Sequence, residues 1–377
     1  MTRRELMAML AAAPLVHAKE APTAPVSIAR CRTYDGDLTG TLSSMFDQLG
    51  GLGRIVKNKT VTIKVNLTGS PGLKFQGKPL GLTHYTHPKM AGAMAYLLER
   101  SGARRVRFVE SCWGTSGSME EYLLDSGWNV RMLFGSAKNV EFVNTNGLGD
   151  AKRYARFRVP GGGSIFPAFD LHPAYQDTDV FMSMAKLKNH ATCGVTLSMK
   201  NCFGITPASI YGDDAGIDEP NESPTKGRGS VCHSGQRGPS KSAPQENDPT
   251  SNRHPGYRMP RIVADLAATR PIDIALIDGI ETITGGEGPW IGGLKCVQPG
   301  LIIAGTNATT TDTVATAVMG YDPRAERGTA PFTGCDNTLR LAEARDVGTT
   351  DLKNIEVRGL SIKEALFPFP IVKTQDA

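Results

Sequence analysis

The residues best placed to do chemistry fall in one stretch, residues 185–207, AKLKNHATCGVTLSMKNCFGITP. It gathers Lys186, Lys188, His190, Lys200 and Asn201, with Cys193 and Cys202 between them. Cations of this kind hold a carboxylate or a phosphate, an imidazole serves as acid, base or metal ligand, and an amide orients what is bound. Lys186 and Lys188 are two residues apart, so on an extended chain they share a face, and His190 continues it. The competing interpretation is plain: lysines that snorkel out of a loop and a histidine satisfied by its neighbours. Spacing alone leaves both open.

What precedes the stretch is informative. Residues 180–184, VFMSM, form an apolar run that predicts a buried strand, so the stretch leaves a strand's carboxyl end. Ligands of open α/β sheets bind at that end. Other polar residues fall at similar places. The run at 61–67, VTIKVNL, predicts a strand carrying Lys64 and Asn66. Pro88 opens a helix over 89–101, preceded by His84 and His87, and a strand at 106–109 delivers Glu110. Further strands are predicted at 27–32, 140–144, 156–160, 272–277, 301–304 and 355–357, with Asp278 ending the fourth of these. Helices are predicted at 119–126, 259–269, 311–319 and 337–344, with Asp312 in the first turn of the third, where the helix dipole alone would explain it. Lys200 and Asn201 are expected to open a helix of their own. Strands alternating with helices predict an α/β fold, a mostly parallel sheet flanked by helices, with room for two lobes around a cleft near residues 186–207.

The termini and the composition bound the rest. Arg3-Arg4 ahead of an apolar run, closed by Val16-His17-Ala18, reads as a twin-arginine signal peptide over residues 1–18. The expectation is a periplasmic or extracellular protein exported folded, with the export machinery as a partner and residues 19–377 as a single domain. The formal net charge of +5 is mild and scattered, with no basic stripe bearing aromatics for nucleic acid. Seven cysteines lack any C-x-x-C pair, so zinc-finger and iron–sulfur motifs are absent, although a metal ion on oxygen and imidazole ligands stays open. Residues 211–257, rich in Gly, Pro, Ser and Asn, predict a solvated insertion, from which Cys232, His233 and His254 could fold back on the site. A G-x-S-x-G elbow, a Walker loop and a dinucleotide fingerprint are all missing.

In order along the chain, Ile63-Lys64-Val65-Asn66, Thr86-His87-Pro88, the strand ending in Glu110, Lys186-Leu187-Lys188-Asn189-His190 and Met199-Lys200-Asn201-Cys202-Phe203-Gly204 form a recurring set. Ile277-Asp278-Gly279-Ile280, the glycine-rich turn at 285–288, Thr311-Asp312-Thr313-Val314-Ala315 and Met319-Gly320-Tyr321-Asp322-Pro323 complete it. This order resembles the domain-of-unknown-function family numbered 362 and covers about residues 62–359. The resemblance implies an architecture and a list of site positions, not a reaction. Relatives that append a ferredoxin-like iron–sulfur segment differ from this sequence, which puts an electron-transfer role in doubt.

Two functions follow. An enzyme or cofactor-dependent protein acting on an anionic small molecule would use His190, Lys188, Lys200, Glu110 and Asp278 in catalysis. Its ligand would be bound by Lys64, Asn66, Lys186, Asn201, His87 and Asp312. A non-catalytic module would use the same lysines to bind the anion alone. A third, structural possibility is that the lysines and carboxylates are buried ion pairs joining parts of the fold.

Overall fold

A computed structural model describes residues 20–370; the proposed signal peptide at 1–18 lies outside the described residues. Eight strands form one sheet. They are β1 (Val26–Arg30), β2 (Thr60–Lys64), β3 (Arg105–Glu110), β4 (Val140–Asn144), β5 (Val180–Lys186), β6 (Ile274–Gly279), β7 (Leu301–Gly305) and β8 (Val357–Gly359). Their order across the sheet is β8-β1-β7-β6-β5-β2-β3-β4. All run in one direction except β7, which is antiparallel to both its neighbours. All eight strands belong to one layer, and the lobed arrangement does not emerge from it.

Strands covered on both faces need apolar residues on both, and β5 shows the consequence. Val180, Met182 and Met184 point into one core cluster, and Phe181 into another. The first face is covered by α1 (Leu38–Gln48) and α2 (Pro88–Arg100), the second by α4 (Pro255–Thr269) and α5 (Ala308–Val318), with the short α3 (Leu197–Asn201) between them. Helix α2 buries Met90, Met94, Ala91, Ala95 and Leu98, the spacing of a helix face turned inward. Its first turn holds Pro88, and His87 caps it by accepting the Lys89 N–H on Nδ1 at 3.2 Å.

The chain leaves β2 for β3 and β4 on one side and returns to β5 and β6 on the other. The direction of winding therefore reverses between β2 and β5. Splayed loops leave a crevice at such a point, over the carboxyl ends of the strands. Lys64 ends β2 there with Asn66 two residues beyond, and Lys186 ends β5 with Lys188 two residues beyond. Strand β2 is interior to the sheet and wholly buried, Lys64 included.

Helix α3 corrects one expectation. Lys200 and Asn201 close it rather than open it. Its start is held by Asp312, which accepts from the Ser198 N–H at 2.9 Å, the Ser198 hydroxyl at 2.5 Å and the Met199 N–H at 2.9 Å. Asp312 lies in the second turn of α5, not the first. Residues 212–254 are irregular apart from a π-helical turn at Gly229–His233, yet they do not simply drift in solvent. Val231 and Cys232 are fully buried, and Glu246 pairs with both Arg253 and the fully buried Arg258, at 2.6 Å each.

Candidate functional site

The crevice encloses a small cavity of about 70 Å³. Four cationic side chains line it, Lys64, Lys188, Lys200 and Arg228, against two carboxylates, Glu110 and Glu287. His190, Asn66, Asn201, Ser111, Trp113 and Phe203 complete the part of the wall that matters chemically. A wider depression of about 630 Å³ near Asn146, Lys152 and Tyr154 gathers no comparable set of buried charges.

Lys64 projects from the end of β2. Its Nζ lies 2.9 Å from either Glu110 oxygen and donates also to the Val65 carbonyl at 2.7 Å and to Asn201 Oδ1 at 3.2 Å. Glu110 also accepts the Leu67 N–H at 2.9 Å and the Ser111 N–H at 3.0 Å. Both its oxygens are thereby occupied, which makes it a counter-ion rather than a free base. Gly204 packs against this pair: a Cβ there would lie 2.7 Å from both Lys64 Nζ and Glu110 Oε1.

Lys188 is fully buried. Its ammonium donates to Asn66 Oδ1 at 3.2 Å, the His84 carbonyl at 2.9 Å and the Glu287 carbonyl at 2.9 Å. Three acceptors match the three N–H bonds that only the ammonium possesses. Burial drives its pKa well below the usual lysine range; Glu287 opposes that shift, and Lys186, Lys200 and Lys64 add to it. The charge is thus present at a cost that a nearby anion would relieve.

Lys200 is different. Its Nζ sits 4.6 Å from the centre of the Phe203 ring and makes no hydrogen bond among the described residues. Burial lowers its pKa, with Cys193 and Glu287 acting the other way. Arg228 covers the same ring at 5.1 Å and donates to the Thr206 carbonyl at 2.6 Å. His233 meets that ring edge-on at 5.7 Å, its imidazole pushed down to about 3 by burial and then by Lys200.

His190 is buried and accepts the Thr192 N–H on Nδ1 at 3.1 Å. Burial, then Lys200, His233 and Lys188, hold it well below the usual imidazole range. A neutral ring whose Nδ1 accepts carries its proton on Nε2. Glu287 Oε2, 3.8 Å from Nδ1, is therefore not its ion-pair partner; it accepts the Ala191 N–H at 2.9 Å instead. Glu287 Oε1 accepts the Trp290 indole N–H at 3.1 Å.

Of the residues singled out from sequence, the cavity brings together Lys64, Asn66, Glu110, Lys188, His190, Lys200 and Asn201. Lys186, Asp278, His87 and Asp312 lie outside its wall. Lys186 and Asp278 form a fully buried pair at 2.9 Å, joined by the Tyr34 hydroxyl, 2.8 Å from Lys186 Nζ and 2.9 Å from both Asp278 oxygens. His87 stacks flat on Tyr34 with ring centres 3.6 Å apart. Glu110, His190 and Asp278 are thus held by separate partners. Among the described residues no group of three or more His, Cys, Asp or Glu side chains is arranged to hold a metal ion.

Sequence reasoning left out Arg228 and Trp113, and named Phe203 and Glu287 only within the motifs at 199–204 and 285–288 without giving them a place in the site. The glycines around Arg228, in Lys226-Gly227-Arg228-Gly229, were the available signal in a segment otherwise polar throughout. All seven cysteines are free thiols. No helix among the described residues is long and apolar enough to cross a membrane.

Comparison with known proteins adds no chemistry to this geometry. The chain is 23% identical over 344 residues to a thylakoid-associated protein of Synechocystis sp., covering 88% of each. No solved structure matches it. Residues 61–317, which run from β2 through α5 and hold every charged residue lining the cavity, match the Domain of unknown function (DUF362), and the chain belongs to that family.

Proposed function

We propose that the protein captures a small anionic molecule in this cavity. The observation that carries the proposal is Lys200. Its ammonium lines the cavity, rests on an aromatic ring and meets no protein oxygen among the described residues. A carboxylate or phosphate there would receive charge-assisted hydrogen bonds from Lys200, Arg228 and the His190 Nε2–H, with the Lys188 charge behind them. Titration calorimetry with acetate, oxalate and inorganic phosphate tests it. Lys200→Met is expected to weaken binding about tenfold to a hundredfold, since a hydrogen bond to a charged group contributes about 1.5–3 kcal/mol. Equal affinity in the variant would overturn the proposal.

The sequence put an enzyme first, and one observation keeps that reading alive. Donors that converge on one spot in a dry site also stabilise negative charge developing in a transition state. Against it, Glu110, Asp278, Asp312 and Glu287 all have their oxygens bound by N–H or O–H donors, and His190 offers an N–H rather than a free nitrogen to the cavity, so a proton acceptor would have to come from the ligand. Turnover surviving His190→Ala while Lys200→Met loses it would favour electrophilic stabilisation.

Export by the twin-arginine route rests on Arg3-Arg4 and the apolar run behind them. Replacing both arginines by lysine is expected to retain the protein in the cytoplasm on cell fractionation; unchanged export would remove the proposal.

A further inference from the structure

The cavity is too small for a body the size of a benzene ring. An engineered cavity that takes benzene measures about 150 Å³, about twice the 70 Å³ enclosed here. Only a headgroup fits among the lysines, so the body of any organic anion must lie against the rim.

That rim is aromatic. Trp113 lines the cavity and is 44% exposed. Its indole nitrogen lies over Gly227, where an added Cβ would stand 3.0 Å away, one residue before Arg228. Trp290 is 43% exposed and packs on Gly69, another lining residue, where a Cβ would come within 2.5 Å of its ring. The same ring packs on Gly288. Large aromatic side chains left open to solvent beside a charged recess are typical of ligand-binding walls rather than of a core.

Resting on the anion reading above, we propose that the ligand is an aryl or similarly planar conjugated acid. Its carboxylate or phosphate enters the cavity, and its ring lies on Trp113 at the mouth. Flat, polarisable bodies gain more from an indole face than saturated ones of equal size. An acid lacking such a body would use the lysines alone.

Calorimetry with acetate, cyclohexanecarboxylate and benzoate separates the two layers of the argument, with phosphate and phenyl phosphate as a second pair. Benzoate is expected to bind about tenfold more tightly than cyclohexanecarboxylate, a typical gain from one stacked ring. Trp113→Leu is expected to shrink that ratio to within about threefold, and a ratio that stays near tenfold in the variant would overturn the stacking on Trp113. If the aryl acids bind no better than their saturated or inorganic counterparts, the planar-ligand inference falls and anion capture stands. If none of the probes binds the wild-type protein, both fall.

Discussion

Five lysine and arginine side chains in and beside the crevice divide into two kinds. Lys64 and Lys186 each face a buried carboxylate at 2.9 Å; Lys188, Lys200 and Arg228 have none as a direct partner. The first kind is ion-paired within the fold; the second carries charge that the anion proposed above would meet. Lys186→Met would leave the fully buried Asp278 without its cation, at a cost of about 3–5 kcal/mol. Denaturant melts are expected to show that loss with acetate affinity intact, because Lys186 lies outside the cavity wall. A variant as stable as wild type would show that the Lys186–Asp278 pair does not hold the fold together. Nothing in the alternation of Lys186 and Lys188 separates the two roles. Both reach the same loop, Lys186 to the Gly81 carbonyl and Lys188 to that of His84, but their remaining partners come from residues far apart in sequence, Tyr34 and Asp278 on one hand, Asn66 and Glu287 on the other. Such long-range partners leave no trace in local spacing.

Elements were legible where periodicity was strong. The strands β2 to β7 and helices α2 and α5 fall within a few residues of their sequence expectation, because an apolar run between breakers has few other solutions. Helix α3 was misread because its first residue, Leu197, takes a left-handed φ of 45°, which side-chain pattern does not announce. The conformation aims two backbone N–H groups and the Ser198 hydroxyl at Asp312. Asp312 therefore ties α5 to α3, the element bearing Lys200. Burial pushes its carboxyl up to about 7, and the three donors from Ser198 and Met199 pull the other way. Asp312→Ala would leave those donors unpaired, at about 1–3 kcal/mol for each that finds no water. We expect a lower melting temperature together with weaker anion binding, as α3 loses its anchor. Loss of stability with no change in affinity would show that Lys200 is positioned by other means.

At the scale of the molecule, burial of histidine sets the acid limit. His84 is held down to about 2, His87 and His233 to about 3, and His172 and His190 also lie below the usual value, burial being the largest cause in each. Unfolded histidines take up protons near pH 6.5. Below that pH the unfolded chain binds more protons than the fold, so stability is present above about pH 6.5 and is lost as pH falls. Asp312 works in the opposite sense by a single proton between about pH 4 and 7. The unfolding free energy is expected to drop by more than about 1.4 kcal/mol per pH unit between pH 6.5 and 5, the slope of one proton. A flat profile over that range would show that these rings titrate freely in the fold. The order of the sheet carries a consequence of another kind, for synthesis. Strand β1 is an early element of the chain, yet its neighbours are β7 and β8, at residues 301–305 and 357–359. While the polypeptide is still on the ribosome, the first strand to emerge has no partner. It can be enclosed only when nearly the whole chain is out, so a product truncated before β7 would display a naked amino-terminal strand to chaperones and proteases.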